Sequence, residues 1–315
     1  KSNLRSGEFV SKKTRCLGFQ EGKRGSQGEK AKVINDIVSS GIFPLKIMLY
    51  VSHISSSTYY YELSKSDIDD KNTEIVNRIK DIFYENKKRY GVRRIYHQLI
   101  NEGFKINHKK VQRIMNKYGL FAKKYKKKYR SYQGRVGVVA DNIILRDFKA
   151  NKPNQKWTTD VSQFSFRWGN CFLSPIMDMF NNEIVSFDLS TKADYQQIER
   201  MLKKVNIGEK DYTGLILHSD QGWQYKNPRY VDSLLKSGIK QSMSRKGNCY
   251  DNSIMESFFG LMKNEMFYGH EDEIGSFDIF KTIVNEYIDY YNNKRIKCKT
   301  NWMSPVAYRL SVQNT

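Results

Sequence analysis

From Ala31 onward the apolar positions follow a helical period, with Val33, Ile34 and Ile37 on one face. Pro44 is placed to open a second helix through Leu45, Met48 and Leu49, which Ser52-His53 ends. The hydroxyls of Ser55, Ser56, Ser57 and Thr58 precede Tyr59-Tyr60-Tyr61, the start expected of a capped short helix. Helix, tight turn and short polar helix predict a helix-turn-helix. A second helical unit follows. Ile75, Ile79 and Ile82-Phe83 form one stripe, and Tyr90-Gly91-Val92-Arg93-Arg94 turns into Ile95, Leu99 and Ile100. Asn107 then reads as the N-cap of a helix through Val111, Ile114 and Met115 that Gly119 ends.

The texture changes at Trp157. Short apolar and β-branched runs predict strands at Trp157 to Phe166, Cys171 to Met177, Ile184 to Leu189 and Gly214 to His218. A helical stretch covers Tyr195 to Val205, and the last part reads as helix Pro228 to Lys236, strand Ile239 to Met243 and helix Asn252 to Phe267. Three strands, helix, strand, helix, strand, helix is the order of a ribonuclease-H-like α/β core. The expected organisation is a flexible basic arm (1–30), a helical helix-turn-helix region (31–120), a basic linker (121–152), the α/β core (153–270) and a C-terminal helical extension (271–315). No solenoid-type repeat is evident.

Charge narrows the partner. Lysine and arginine number 54 against 33 acids, a net +21, which makes a polyanion the default ligand because each neutralised phosphate releases counterions. A basic protein of another kind, such as a ribosome-associated factor, has the same balance. The face of the Asn107-capped helix carries His108, Lys109, Lys110, Gln112 and Arg113, suited to phosphates and base edges. Each alone would be an ordinary solvated position. In the linker, Lys123, Lys124, Lys126, Lys127, Lys128 and Arg130 alternate with Tyr125, Tyr129 and Tyr132, which fits either a solvated tether or a segment that tracks DNA.

Cys16, Cys171, Cys249 and Cys298 have neither zinc-site nor disulfide-framework spacing, so a reducing cytoplasm is expected. No signal-peptide core and no run of about 18 apolar residues is present, which predicts a chain neither exported nor embedded in a membrane. The chain begins at Lys1 and its first methionine is Met48, so a fragment or the downstream part of a longer product is expected.

Three carboxylates carry the candidate chemistry. Asp160 is expected inside the first strand, where a buried charge is costly unless paired or bound to a cation. Asp220 ends the strand Leu217-His218-Ser219, and strand ends in open α/β sheets are where ligands bind. Glu256 lies where the last helix opens. Hard oxygen ligands of this kind suit Mg²⁺ or Mn²⁺. Lys263, seven residues past Glu256, returns to the same helix face and could hold a phosphate beside the metals. An isolated strand aspartate or helix glutamate is more often a cap or a surface residue, so the spacing carries the weight: 35 residues separate Asp220 from Glu256. His218 could orient a phosphate or water, or simply bond to backbone. Asp178 and Asp188 are competing carboxylates, and Asp178 is expected near the site.

Trp157 to Phe164, His218 to Tyr225 and Gly247 to Glu265 resemble the three catalytic blocks of the DDE transposases of bacterial two-frame insertion sequences, whose catalytic product is similar to retroviral integrases. Arg89-Tyr90-Gly91-Val92-Arg93-Arg94 and Ile106 to Val111 resemble that family's DNA-binding module, and Tyr287 to Arg295 with Ser304-Pro305 its closing segment. The likeness covers roughly residues 44 to 310. Lys297-Cys298-Lys299 and Asn301-Trp302-Met303 depart from the usual histidine and leucine positions, which bears on packing and not on chemistry.

The resemblance implies Asp160, Asp220 and Glu256 as catalytic metal ligands, with two Mg²⁺ or Mn²⁺ ions about 4 Å apart flanking the scissile phosphate. It implies Asp160 bridging the two ions, water attack that frees a 3′-hydroxyl, and attack of that hydroxyl on a second phosphodiester without a covalent protein intermediate. Family members join the element's ends into a circle before insertion. Lys263, Arg93 and Arg94 join the expected DNA contacts. Implied partners are terminal inverted repeats, target DNA, a second copy of the chain and an upstream-frame product fused or in trans, in the bacterial cytoplasm at the nucleoid. Two other readings compete: a DNA-binding regulator without catalysis, and a ribonuclease-H-like nuclease without strand transfer.

Overall fold

The computed structural model describes residues 27–41, 43–71, 73–122, 125, 140–245 and 249–313. The expected arm therefore lies outside it except for its last residues, and so do Lys123, Lys124, Lys126, Lys127 and Lys128. The chain divides into two units, 1–81 and 82–315.

In the first unit, α1 (Gln27–Ser39) and α2 (Leu45–Ser52) form the expected helices, although α1 starts four residues earlier than its apolar stripe suggests. His53 adopts a left-handed conformation and ends α2. The Ser55 hydroxyl accepts from Thr58 N at 3.1 Å, capping α3 (Ser56–Lys71), which runs longer than expected. Ala31, Ile34, Ile37, Met48, Ile54 and Tyr59 make this unit's core.

The helix α4 (Thr73–Glu85) leads into the second unit. There α5 (Val92–Asn101) and α6 (His108–Lys117) pack together, with Asn107 accepting from Lys109 N at 2.9 Å as the predicted cap. Ile95, Leu99, Val111 and Met115 are buried, as the 3.6-residue period requires.

The rest of this unit is built on one mixed sheet. Its strands are β1 (Lys156–Thr159), β2 (Ser162–Phe166), β3 (Gly169–Asp178), β4 (Ile184–Ser190), β5 (Ile216–Ser219) and β6 (Lys240–Met243). Both β1 and β2 pair antiparallel with β3 in one continuous register, Thr159↔Ile176 and Ser162↔Leu173. Along β3 they continue one another as two halves of one long strand, interrupted at Asp160-Val161. Beyond β3 lies antiparallel β4, and on the other side β1 pairs with parallel β5, which pairs with parallel β6. This is the ribonuclease-H-like arrangement.

Side-chain alternation sends β3 to two cores. Cys171, Leu173 and Met177 join a layer with α9 (Ser253–Met262) and α10 (Phe277–Asn293), while Ile176 joins one with α7 (Tyr195–Lys203) and α8 (Pro228–Lys236). Each such fully buried side chain contributes about 1.5–3 kcal/mol. The chain ends in α11 (Pro305–Gln313). Among the described residues no helix is long and apolar enough to cross a membrane.

The expected helix Asn252 to Phe267 is shorter. Regular α-helix stops at Met262, and Lys263–Phe267 form a single π-helical turn closed by Tyr268 N to Lys263 O at 2.8 Å.

Candidate active site

Adjacent parallel strands bring the two aspartates together. Thr158 pairs with His218, so continuing the register two positions puts Asp160 and Asp220 side by side just beyond the ends of β1 and β5. Asp160 is thus not inside a strand, as the pattern suggested, but in the gap between β1 and β2. The register puts Pro175 of β3 opposite it, a residue with no N–H to give to a ladder. Freed from sheet pairing, Val161 N donates to Asp160 Oδ1 at 2.8 Å.

Asp220 is held by Gly222 N, which donates to its Oδ1 at 2.8 Å. A Cβ on Gly222 would stand 2.9 Å from that oxygen and 2.6 Å from the Gln224 side chain, so a larger residue here would displace both side chains. Beneath both aspartates the buried Tyr225 hydroxyl lies 3.4 Å from Thr159 Oγ1, and the acidic pair adds to the burial that raises its pKa.

Glu256 sits half-buried in the first turn of α9, where the helix dipole favours a carboxylate. The helix start is tied to β1 by Thr158 Oγ1, 3.2 Å from Asn252 Oδ1. Electrostatics link the three acids. Burial, then Asp220 and Glu256, push the Asp160 carboxyl well above the usual aspartate range, and burial raises those of Asp220 and Glu256. Lys263 partly offsets this at Asp160. Its ammonium donates to Gln163 O at 2.8 Å and lies 4.9 Å from the Phe164 ring centre, and burial lowers its pKa to about 8.

Among the described residues, no three His, Cys, Asp or Glu side chains close on one point tightly enough to cage a single ion. The carboxylates form instead a spread acidic patch in which the most buried member feels the other two. A patch whose most buried carboxylate is disfavoured by burial and by its neighbours is suited to a divalent cation.

The competing acids are occupied elsewhere. Asp188 pairs with Arg200 at 2.9 Å and Lys204 at 3.0 Å. Asp178, expected near the site, pairs with Trp157 at the opposite end of β1 from Asp160, because the antiparallel register runs β3 away from it. Its carboxylate accepts from Asn154 N and Phe180 N.

His218 is fully buried with both ring nitrogens engaged: Nε2 donates to Asp251 O at 3.0 Å, and Nδ1 lies 2.9 Å from Ser242 Oγ, which itself accepts from Ile143 N. This makes the ring neutral and a strut between β5, β6 and the loop before α9, with burial lowering its pKa. Asp251, also buried, receives Arg245 at 2.9 Å, Arg146 at 2.8 Å and Asn142 at 3.1 Å, and the two arginines hold its carboxyl far below the usual range. Only Arg245 is local to this hub, six positions from Asp251, whereas Arg146 lies 105 positions away.

Among the expected DNA contacts, His108, Lys109, Gln112 and Arg113 are exposed on α6, Lys110 is half-buried and Arg93 is exposed. Arg94 turns inward instead, its Nε donating to Ile296 O at 3.2 Å. The departures in the closing segment are accommodated. Trp302 stacks on His97 with ring centres 3.6 Å apart, and the Lys297 ammonium lies 3.6 Å from the Tyr291 ring centre.

Comparison with known proteins places this geometry in a lineage. The family described as Integrase core domain matches residues 150–249, a second model of the same description matches 256–312, and HTH-like domain matches 69–129. The InsK protein of insertion sequence element IS150 from Escherichia coli (strain K12) is 45% identical over 88% of this chain and 97% of its own length. The transposase for insertion sequence element IS904 of Lactococcus lactis is 35% identical, covering 72% of this chain and 90% of that one. The transposase InsF for insertion sequence IS3A of Escherichia coli (strain K12) is 31% identical over 72% of this chain and 78% of that one. Of solved structures, the HTLV-2 integrase catalytic core domain aligns at 15% identity with a TM-score of 0.39, covering 50% of this chain and 98% of that chain. A helix-turn-helix-like region joined to an integrase core, with relatives this similar across nearly their whole length, makes the chain a member of the insertion-sequence transposases of the IS3 type.

Proposed function

We propose that Asp160, Asp220 and Glu256 are the metal ligands with which this transposase cleaves and rejoins DNA, and that Mg²⁺ or Mn²⁺ binds as a pair. The observation that carries the reading is the parallel register that sets the buried Asp160 beside Asp220, where burial and then the charges of Asp220 and Glu256 push its carboxyl up, a cost that a divalent cation relieves. When bound, such ions activate the attacking oxygen and stabilise the leaving one. The chain's own groups supply the frame. Asp160 and Asp220 follow the ends of adjacent parallel strands, Glu256 comes from a helix tied to β1, and the Gly222 N–H holds the Asp220 carboxylate. Lys263 offers an ammonium to a non-bridging phosphate oxygen beside Asp160. His218 acts as a structural strut and not as a proton carrier, because both its nitrogens are committed.

The substrates in this reading are the element's terminal inverted repeats and a target duplex, in the cytoplasm at the nucleoid. The exposed α6 residues His108, Lys109, Gln112 and Arg113 enter the groove, with Arg93 and the linker lysines on the backbone. Pairing two ends calls for at least a dimer, with an upstream-frame product contributing fused or in trans. The test is nicking and joining of inverted-repeat DNA in Mg²⁺. Glu256→Gln should abolish both steps and leave DNA affinity within about twofold; strand joining by that variant would overturn the ligand assignment. A regulator would bind without cutting, and a simple nuclease would cut without joining.

A further inference from the structure

The motif Arg89-Tyr90-Gly91-Val92-Arg93-Arg94 resembles a DNA-binding segment, yet most of its polar groups are turned toward the protein. Tyr90 is buried, and its hydroxyl accepts from Ile296 N at 2.9 Å. Arg94 holds Ile296 O, and Asn101 Nδ2 donates to Trp302 O at 2.8 Å. These contacts seat the α5–α6 module on the segment that follows α10.

Arg89 goes elsewhere. Two successive left-handed residues, Lys87 with φ 50 and Lys88 with φ 60, swing the chain out of α4 and deliver Arg89 to α10. There its guanidinium lies 5.2 Å from the Tyr287 ring centre and 4.8 Å from that of Tyr290. Asn86 steadies the approach by accepting from the Tyr290 hydroxyl at 3.0 Å. Sandwiched there, Arg89 Nε donates to the backbone carbonyl of Glu265 at 3.1 Å.

Glu265 is the middle of the π turn that follows the catalytic helix. A π turn leaves backbone carbonyls out of the regular ladder, and this one is gripped from several sides. Arg295 takes the Glu265 carboxylate at 2.7 and 3.0 Å, the Tyr287 hydroxyl donates to it at 3.0 Å, and the neighbouring Asn264 side chain accepts from Tyr125 N at 2.9 Å. The first residue of the same turn is Lys263, whose ammonium reaches back across β2 toward Asp160. A chain of direct contacts therefore runs from the helical module through Arg89 and the π turn to the cation that acts on Asp160.

We propose that Arg89 is a positioning residue for the catalytic helix: by fixing the Glu265 carbonyl it sets where Lys263 stands against the acidic patch, and it does not bind DNA. The inference rests on the assignment of the acids and Lys263 made above. It gives the helical module a second role, as a brace for the chemistry as well as a reader of DNA.

The test uses the full chain with Arg89→Met, Arg89→Lys, Lys263→Ala and the Arg89→Met/Lys263→Ala pair, and measures end-DNA affinity and the joining rate at saturating DNA. Arg89→Met should leave affinity within twofold and slow joining at least tenfold. Arg89→Lys, which can still donate to the carbonyl but stacks less well, should recover part of the rate. In the Lys263→Ala background Arg89→Met should cost little more, since both changes remove the same function. A general loss of folding would instead lower binding and joining together and multiply with Lys263→Ala. Loss of affinity with an unchanged saturated rate, full additivity with Lys263→Ala, or no effect at all would each overturn the proposal. Joining by Glu256→Gln would count against the site assignment and is a separate outcome.

Discussion

Removing Arg295 should be among the most damaging single changes in the larger unit. The Arg295 side chain is 1% exposed and that of Glu265 9%, and their contacts are bidentate. Burial of a guanidinium would lower its pKa, yet Glu265 outweighs this and raises it, so the guanidinium keeps its charge. Arg295→Met keeps most of the volume and leaves Glu265 buried with only the Tyr287 hydroxyl. Breaking a buried pair in this way costs about 3–5 kcal/mol, and Glu265→Leu should cost a similar amount. The double variant removes both charges. It should return to within about 1–3 kcal/mol of the parent, the residue of the loss being the orphaned Tyr287 hydroxyl. Urea denaturation followed by tryptophan fluorescence measures this cleanly, because all four tryptophans, Trp157, Trp168, Trp223 and Trp302, lie in the 82–315 unit. For a unit of this size, 3–5 kcal/mol corresponds to a fall in Tm of roughly 6–20 °C. A loss below about 1 kcal/mol for Arg295→Met would mean that water reaches the pair. A double variant as unstable as the two singles combined would mean that the charges do not interact. Either result refutes the reasoning.

Two further outcomes follow from packing and protonation. His218 is buried and neutral with a lowered pKa, so the unfolded chain binds its proton more readily; stability should therefore be full above about pH 6.5 and fall as pH drops below it, with a shallower slope in His218→Asn when melts are compared from pH 7 to 5. Gly238 has φ +67 and a Cβ there would stand 2.5 Å from Thr213 Oγ1, so Gly238→Ala should destabilise by about 1–3 kcal/mol in the same urea titration, and a neutral effect would refute the claim of strain.

Local signals were legible where local chemistry decides. The helix Pro228–Lys236 has its bounds in the sequence because Asn227 caps it, Pro228 fills its first position and Ser237-Gly238 stops it. The parallel neighbours β1 and β5 were expected as strands, and the spacing of Asp160, Asp220 and Glu256 pointed to one site without any knowledge of the register. What escaped depends on partners far away in sequence. The break at Asp160 comes from Pro175 across the ladder, and the end of α9 at Met262 from a turn whose glutamate binds an arginine 30 positions on. The direction of Arg94 was illegible for a similar reason. Charge alone does not say whether a helix face meets solvent or another part of the protein, and here Ile296 offered a carbonyl. The Asp251 hub likewise needs Arg146 and Arg245 to converge from separate segments.

The seat of the α5–α6 module is made long after the module itself. Tyr90 and Ile296 bond across 206 positions, so at ordinary synthesis rates of about 5–20 residues per second the partner leaves the ribosome roughly 10–40 s later. All three acids emerge within that interval, before Arg295, Ile296 and Trp302 are available to dock the helices or to grip the π turn. A nascent chain would thus hold the three acids while lacking the contacts that seat the α5–α6 module. The seating contacts therefore come last in synthesis, after every residue of the candidate site has already emerged.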